Sequence, residues 1–388
     1  MIYLDNNATT QMDPAVREAM LPYLGELYGN PSSTHRFGQE SRQALEKSRH
    51  QVAGLLGCDV RELIFTSGGT ESDNAAIHGL LAVRAAGGAR KVIVTSSVEH
   101  SAVRTPVQAL AKSGYTVVEI GVDGRGALDL ERLSGVLAER GAEVALVSIM
   151  WANNETGVLF DVARIGAICR EHAVPLHVDG VQAVGKIGFA LRDLPIDVFS
   201  VSAHKFHGPK GVGALYVRRG ARWQPWIRGG PQERDRRGGT ENVAGIVGMG
   251  VAAELAGRAL ANGGEWERVA GLRDALERGI LERIPDSHVN GDPAKRLANT
   301  TNIGFAGLEA EAILLLLSEQ DVCASAGAAC SSGSLEPSHV LRAMALPDRV
   351  AHGAVRFSLS RRTSEADVRG ALEVLPGVIE RLRATLPV

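Results

Sequence analysis

Short apolar, β-branched runs punctuate the chain at residues 91–95, 144–149, 174–178, 197–201 and 213–217, with helix-like stretches between them. Such alternation predicts an α/β protein whose mainly parallel sheet is covered on both faces, because each crossover helix packs back onto the sheet. Ligands of these sheets lie beyond the carboxyl ends of the strands. From about residue 245 the pattern changes to long helices, first the small-residue run Ala244 to Ala256 and then Trp266 to Ile280. Ala261-Asn262-Gly263-Gly264 interrupts them and reads as a boundary. Near the end, Ser364 followed three residues on by Asp367 predicts a capping box that opens a last helix through Val368, Leu372 and Leu375.

A chain of 388 residues exceeds the ~250 to 300 at which a single core stops growing, so two domains are expected. The net charge of −2 carries no basic footprint for nucleic acid or an anionic membrane. Met1-Ile2-Tyr3-Leu4-Asp5-Asn6-Asn7 has neither a basic n-region nor an apolar h-region. No stretch is expected to approach the ~20 apolar residues of a membrane span, which points to a cytoplasmic protein. Four cysteines without a Cys-x-x-Cys pair do not form a disulfide framework. Cys323, Cys330 and His339 match no common zinc spacing, so no metal site is expected beyond an iron–sulfur unit held in passing on Cys330. Cys58 and Cys169, in apolar helix-like surroundings, are expected to be buried small hydrophobes.

The chemistry concentrates where the strands end. Lys205 closes Ser202-Ala203-His204-Lys205 directly after the run 197–201. A lysine at the carboxyl end of a buried strand is desolvated, which lowers its pKa and makes a nucleophilic amine able to form an imine. Asp179 ends the earlier run in the same way, with Gln182 just beyond it. An aspartate beside a pyridine nitrogen keeps that ring protonated, so the pair fits pyridoxal 5'-phosphate. Gly68-Gly69-Thr70 follows Leu63-Ile64-Phe65 and precedes a helical stretch, where backbone amides can hold a phosphate.

Eight blocks in register carry a resemblance: Thr66 to Asn74, Glu99-His100, Asn153 to Gly157, Asp179 to Gln182, Ser202 to Lys205, Arg237 to Asn242, Ala329 to Ser338 and Val355 to Leu359. In order and spacing the chain resembles the class I cysteine desulfurases of the NifS/IscS group, pyridoxal-phosphate enzymes of the class V aminotransferase family. The resemblance implies an aspartate aminotransferase-like fold type I, with a mainly parallel seven-stranded sheet in a large domain (residues 15–260). A smaller α+β domain would be built from residues 1–14 and 261–388 and carry the cysteine loop.

The resemblance also assigns tasks. Lys205 would form the imine, Asp179 would hold the ring nitrogen, and His100 would stack on the ring and move protons. Gly69, Thr70, Ser202, His204 and, from a second subunit of a homodimer, Thr240 would surround the phosphate. Asn154 and Gln182 would bond the ring's phenolic oxygen. Arg356, in an apolar run where an unpaired guanidinium is costly, would take the substrate carboxylate, with Asn154 beside it. Cys330, in the small-residue segment 324–334, would attack the sulfur of bound L-cysteine as a thiolate, with His100 a candidate proton acceptor. Alanine would leave, and a persulfide on Cys330 would pass to an iron–sulfur scaffold, a tRNA-thiolation carrier or another acceptor. A selenocysteine lyase or another pyridoxal enzyme of the same fold would share the cofactor residues without needing Cys330. A non-enzymatic partner-binding platform would need none of them. The chain departs from the family in having Phe160 where glutamine is common, and in ending at Val388 without the longer tail that docks a scaffold in some members.

Overall fold

A computed structural model describes residues 1–85, 88, 90–326 and 336–385. After the two-residue strand β1 (Ile2–Tyr3), a seven-stranded sheet is formed from β2 (Leu63–Thr66), β3 (Val92–Ser96), β4 (Thr116–Ile120), β5 (Val144–Met150), β6 (Leu176–Asp179), β7 (Val198–Ser202) and β8 (Gly213–Val217). Their spatial order is β2-β8-β7-β6-β5-β3-β4. The pairings from β4 through β7 are parallel, and β8 is antiparallel to both its neighbours. Only residues 206–212 and one tight turn separate β7 from β8, too little chain for a crossover helix, so β8 returns as a hairpin.

Every residue of β3, β5, β6, β7 and β8 is buried, which is why these strands read as mainly apolar runs without polar alternation. The edge strand β4 differs. It exposes Thr116 and Glu119 and was not among the apolar runs. Phe160, the departure from the family pattern, packs in the main core.

The remaining strands are β9 (Ser287–Asn290), β10 (Thr300–Phe305), β11 (Val322–Cys323) and β12 (Ala354–Ser358). β9, β10 and β12 form an antiparallel sheet, while β11 pairs in parallel with β1. Leu4 therefore joins Leu276, Phe305, Phe357 and Leu375 in a core cluster of its own, separate from those around the large sheet. The N-terminal segment is thereby held between this second core and the strand ends of the first.

The small-residue run lies in the helix Val243–Ala261, which packs on Arg36–Leu56 and Pro14–Leu24. A Cβ at Gly248 would meet Met20 Sδ at 2.6 Å and one at Gly250 would meet Ser48 Cβ at 2.7 Å, so small residues permit the close approach. By length and composition this helix could cross a membrane, which corrects the expectation that no stretch approaches that limit; most of it is buried in the fold. Gly263, at φ 67°, separates it from the helix Gly264–Arg283. The helix Glu365–Thr385 opens with the expected capping box: Ser364 N donates to Asp367 Oδ2 at 2.8 Å, and Asp367 N to Ser364 Oγ at 3.2 Å. Cys169 is buried and Cys58 only partly so; burial pushes both thiols up to about 12, which keeps them protonated.

Candidate active site

Five chain segments deliver polar groups to one end of the large sheet. β2 leads to Gly69 at the N-terminus of the helix Gly69–Arg84. β3 leads to His100, the N-cap of Ser101–Lys112, and β5 leads to Asn154. β6 ends on Asp179, and β7 runs into a single 3-10 turn, Ala203–Lys205. Together they enclose a cavity of about 220 Å³ that brings Gly69, Thr70, His100, Asn154, Asp179, Gln182, Ser202, His204 and Lys205 onto one wall system. Thr240 is exposed and does not line it. Cys330 lies outside the described residues.

Asp179 is buried, and its Oδ1 accepts from Val181 N at 2.9 Å. Burial, reinforced by the nearby Asp73 carboxyl, pushes Asp179 up to about 6, so the site favours a cationic partner that would restore its charge. Behind it, His177 sits between Ser148 Oγ (2.8 Å) and Ser200 Oγ (3.0 Å), with Asp73 Oδ1 3.5 Å from its Nε2. Burial lowers His177 to about 4, so this imidazole is neutral. His100 Nδ1 accepts from Ala102 N at 3.1 Å, which assigns the ring proton to Nε2; desolvation by burial lowers its pKa. In this tautomer Nε2–H is the proton that can be given away, and a proton accepted from elsewhere enters at Nδ1 in place of the hydrogen bond from Ala102 N.

The Lys205 amine donates to two main-chain oxygens, Asn7 O at 2.6 Å and Ala8 O at 2.8 Å. At the opposite end, Gly68 caps the helix Gly69–Arg84 without a side-chain hydrogen bond, and a Cβ at Gly69 would come within 2.9 Å of Val181 Cγ2. The bare backbone amides of that first turn are suited to an anion. A helix N-terminus, a buried carboxyl and a lysine amine thus line one cavity, and this donor set fits pyridoxal phosphate.

Two expectations change on contact with the geometry. Arg356 was expected to need the substrate to satisfy its guanidinium, yet its Nη2 donates to Asp5 Oδ1 at 2.6 Å and its Nη1 to Asn154 O at 2.9 Å. Asp5, a fifth exposed at 21%, supplies the anion from the other end of the chain. Gln182, expected with Asn154 to bond the ring's phenolic oxygen, has further partners: its Nε2 donates to Asn7 O at 2.9 Å and its Oε1 accepts from Lys186 Nζ at 2.7 Å. Asn7 and Lys186 were both missed. Asn7 follows none of the apolar runs that mark the strands of the large sheet, and Lys186 reads as an ordinary solvated charge.

The class V aminotransferase family model matches residues 2–370. A cysteine desulfurase of Trichormus azollae is 52% identical over 387 residues, covering 100% of this chain and 95% of the relative. The cysteine desulfurase NifS of Azotobacter vinelandii is 49% identical, covering 100% and 94%. Among solved structures, a NifS-like protein superposes with a TM-score of 0.90 at 37% identity, covering 99% of both chains. SspA in complex with cysteine has a TM-score of 0.81 at 31% identity, covering 94% of this chain and 100% of that one. Full-length identity at this level, on the same fold, places the chain in the class V aminotransferase family, among its NifS-like cysteine desulfurases.

Proposed function

We propose that this protein converts L-cysteine to L-alanine and moves the sulfur onto its own Cys330, for delivery to iron–sulfur cluster assembly or another thiolation. The observation that carries the site assignment is the convergence of Lys205, Asp179, His100 and the helix N-terminus at Gly69 on a single cavity. The family is pyridoxal-phosphate dependent, and the donor set described above supports that cofactor here. When bound, pyridoxal phosphate supplies the electron sink that stabilises negative charge on the substrate α-carbon.

The residues divide the work. Asp179, raised by burial, would regain its charge beside a cationic ring nitrogen and would favour the protonated ring. Gly69, Thr70, Ser202 and His204 would hold the phosphate. Lys205 would hold the cofactor before substrate arrives and, once free, would remove the α-proton at its Nζ. Arg356, with Asn154 beside it, orients the substrate by its carboxylate, drawing its fork partly away from the partly exposed Asp5. His100 can give a proton from Nε2 and take one up at Nδ1, where it gives up the hydrogen bond from Ala102 N.

Cys330 attacks the substrate sulfur as a thiolate. A sulfur–sulfur bond forms as the carbon–sulfur bond breaks, the α-carbon fragment is reprotonated and leaves as alanine, and the enzyme keeps a persulfide. Cysteine and one enzyme thiol thus give alanine and one enzyme persulfide, with no external oxidant.

We infer further that the active protein is a homodimer in which Thr240 completes the partner's phosphate site. Its exposure, away from its own chain's cavity, supports this, as does the exposed apolar set Leu21, Leu24, Tyr28 and Trp226. The acceptor is a protein, an iron–sulfur scaffold or a tRNA-thiolation carrier. The activity is tested by giving cofactor-loaded protein L-cysteine and a thiol reductant: equal amounts of alanine and sulfide support it, and pyruvate or transamination without sulfide would overturn it.

A further inference from the structure

Lys186 is the one buried lysine among the described residues. It lies four residues beyond Gln182, and its Nζ donates to Gln182 Oε1 at 2.7 Å and to Asn7 Oδ1 at 3.4 Å. Both partners are amide oxygens. Burial, and then the nearness of Lys205 and Arg356, holds its pKa well below the ordinary lysine range.

An amide side chain has two nearly isosteric edges, and its neighbours decide which edge faces where. Lys186 takes the Oε1 edge of Gln182. The Nε2 edge is left facing Asn7 O, the same oxygen that accepts from Lys205 Nζ. The donor of Gln182 and the reactive amine therefore meet at one point. Asn7 is fixed there in turn, its Oδ1 receiving Asn299 Nδ2 at 3.0 Å as well as Lys186, and its Nδ2 donating to Thr300 Oγ1 at 2.9 Å.

We propose that Lys186 is a positioning residue that locks the Gln182 amide with its N–H edge toward Lys205, so that this edge meets the ring oxygen of the bound cofactor. The inference rests on the pyridoxal-phosphate reading of the cavity. Its consequence is electrostatic. A donor beside the ring oxygen favours the more negative, deprotonated form of the bound chromophore, so loss of that donor raises the pH at which the colour changes.

The test is a spectral pH titration of cofactor-loaded wild type, Lys186→Met, Gln182→Leu and the double variant, with Lys186→Leu as a second replacement should the methionine variant fail to fold. Each single variant should raise the midpoint by about one pH unit, a tenfold change in the proton equilibrium. The double variant should shift no further than Gln182→Leu alone, because Lys186 acts through the amide. An unmoved midpoint in Lys186→Met, or a reduced melting temperature as the only change, would overturn the positioning role. Shifts that add in the double variant would also overturn it, since they would mean that Lys186 acts directly. Wild type that takes up no colour would instead defeat the cofactor reading itself.

Discussion

The Nζ atom of Lys205 lies 2.6 Å from the main-chain oxygen of Asn7, 198 residues earlier in the chain. The N-terminal segment, held by β1 to the second core, thus rests directly on the reactive amine. Carbonyl oxygens only accept, so they orient the amine without competing for its lone pair once it is neutral. Lys205→Ala removes the hydrogen bonds to Asn7 O and Ala8 O, each worth a net ~0.5 to 1.5 kcal/mol, and the side chain belongs to none of the core clusters among the described residues. The variant should therefore fold and lose turnover entirely. Alanine release, with circular dichroism as the check on folding, decides this; unchanged desulfuration by the purified variant would remove Lys205 from the chemistry.

Arg356 holds Asp5 through one nitrogen and the Asn154 carbonyl through another. Arg356→Lys keeps a positive charge for Asp5 but loses the planar fork. Losing one charge-assisted bond to the substrate, worth ~1.5 to 3 kcal/mol, should raise KM for L-cysteine about tenfold or more. Cofactor retention should not change. Equal losses in cofactor and substrate binding would assign Arg356 a purely structural role.

Thr240 lies outside the cavity of its own chain. Thr240→Val should weaken cofactor retention, and Lys205→Ala should be inactive. Mixed together, the two variants should recover some activity, because a heterodimer has one site with both residues intact. No recovery, with subunit exchange shown independently, would place Thr240 outside the site.

Glu99 is buried, and its Oε1 accepts from Ser96 Oγ at 2.5 Å and Met150 N at 3.0 Å. Desolvation pushes its carboxyl from 4.5 up to about 8 against those hydrogen bonds. The folded state therefore holds this proton more tightly than the unfolded chain. Its contribution to stability is full below the unfolded value and is lost as pH climbs from 4.5 through about 8. Glu99→Gln keeps the accepting oxygen and removes the ionisation. Compared with wild type, it should gain melting temperature at about pH 9 relative to about pH 5; a parallel pH dependence in both proteins would contradict the assignment.

The reactive strand ends were legible because their strands are buried on both faces: a mainly apolar run that stops at Asp179, or just before Ser202 and Lys205, marks where the chain leaves the sheet. The edge strand β4 was not, since its solvent-facing Thr116 and Glu119 erase that signal. Asp5 with Arg356, and Asn7 with Lys186, are pairs separated by 351 and 179 positions. No local pattern joins them; only the closure of the two chain ends onto the large sheet does. Lys186 was illegible for the further reason that burial, which changes its chemistry, comes from tertiary packing and not from its neighbours in sequence.

The central claim is that sulfur leaves L-cysteine onto Cys330. Cofactor-loaded wild type is exposed briefly to L-cysteine, quenched with an alkylating agent and digested, and the cysteine peptides are weighed. The account predicts one additional sulfur on the peptide carrying Cys330 and none on those carrying Cys58 or Cys169, whose thiols burial keeps protonated. In Cys330→Ser the added sulfur and the alanine should both disappear while the colour change with L-cysteine remains. Additional sulfur on another cysteine, or normal alanine release by Cys330→Ser, would contradict it.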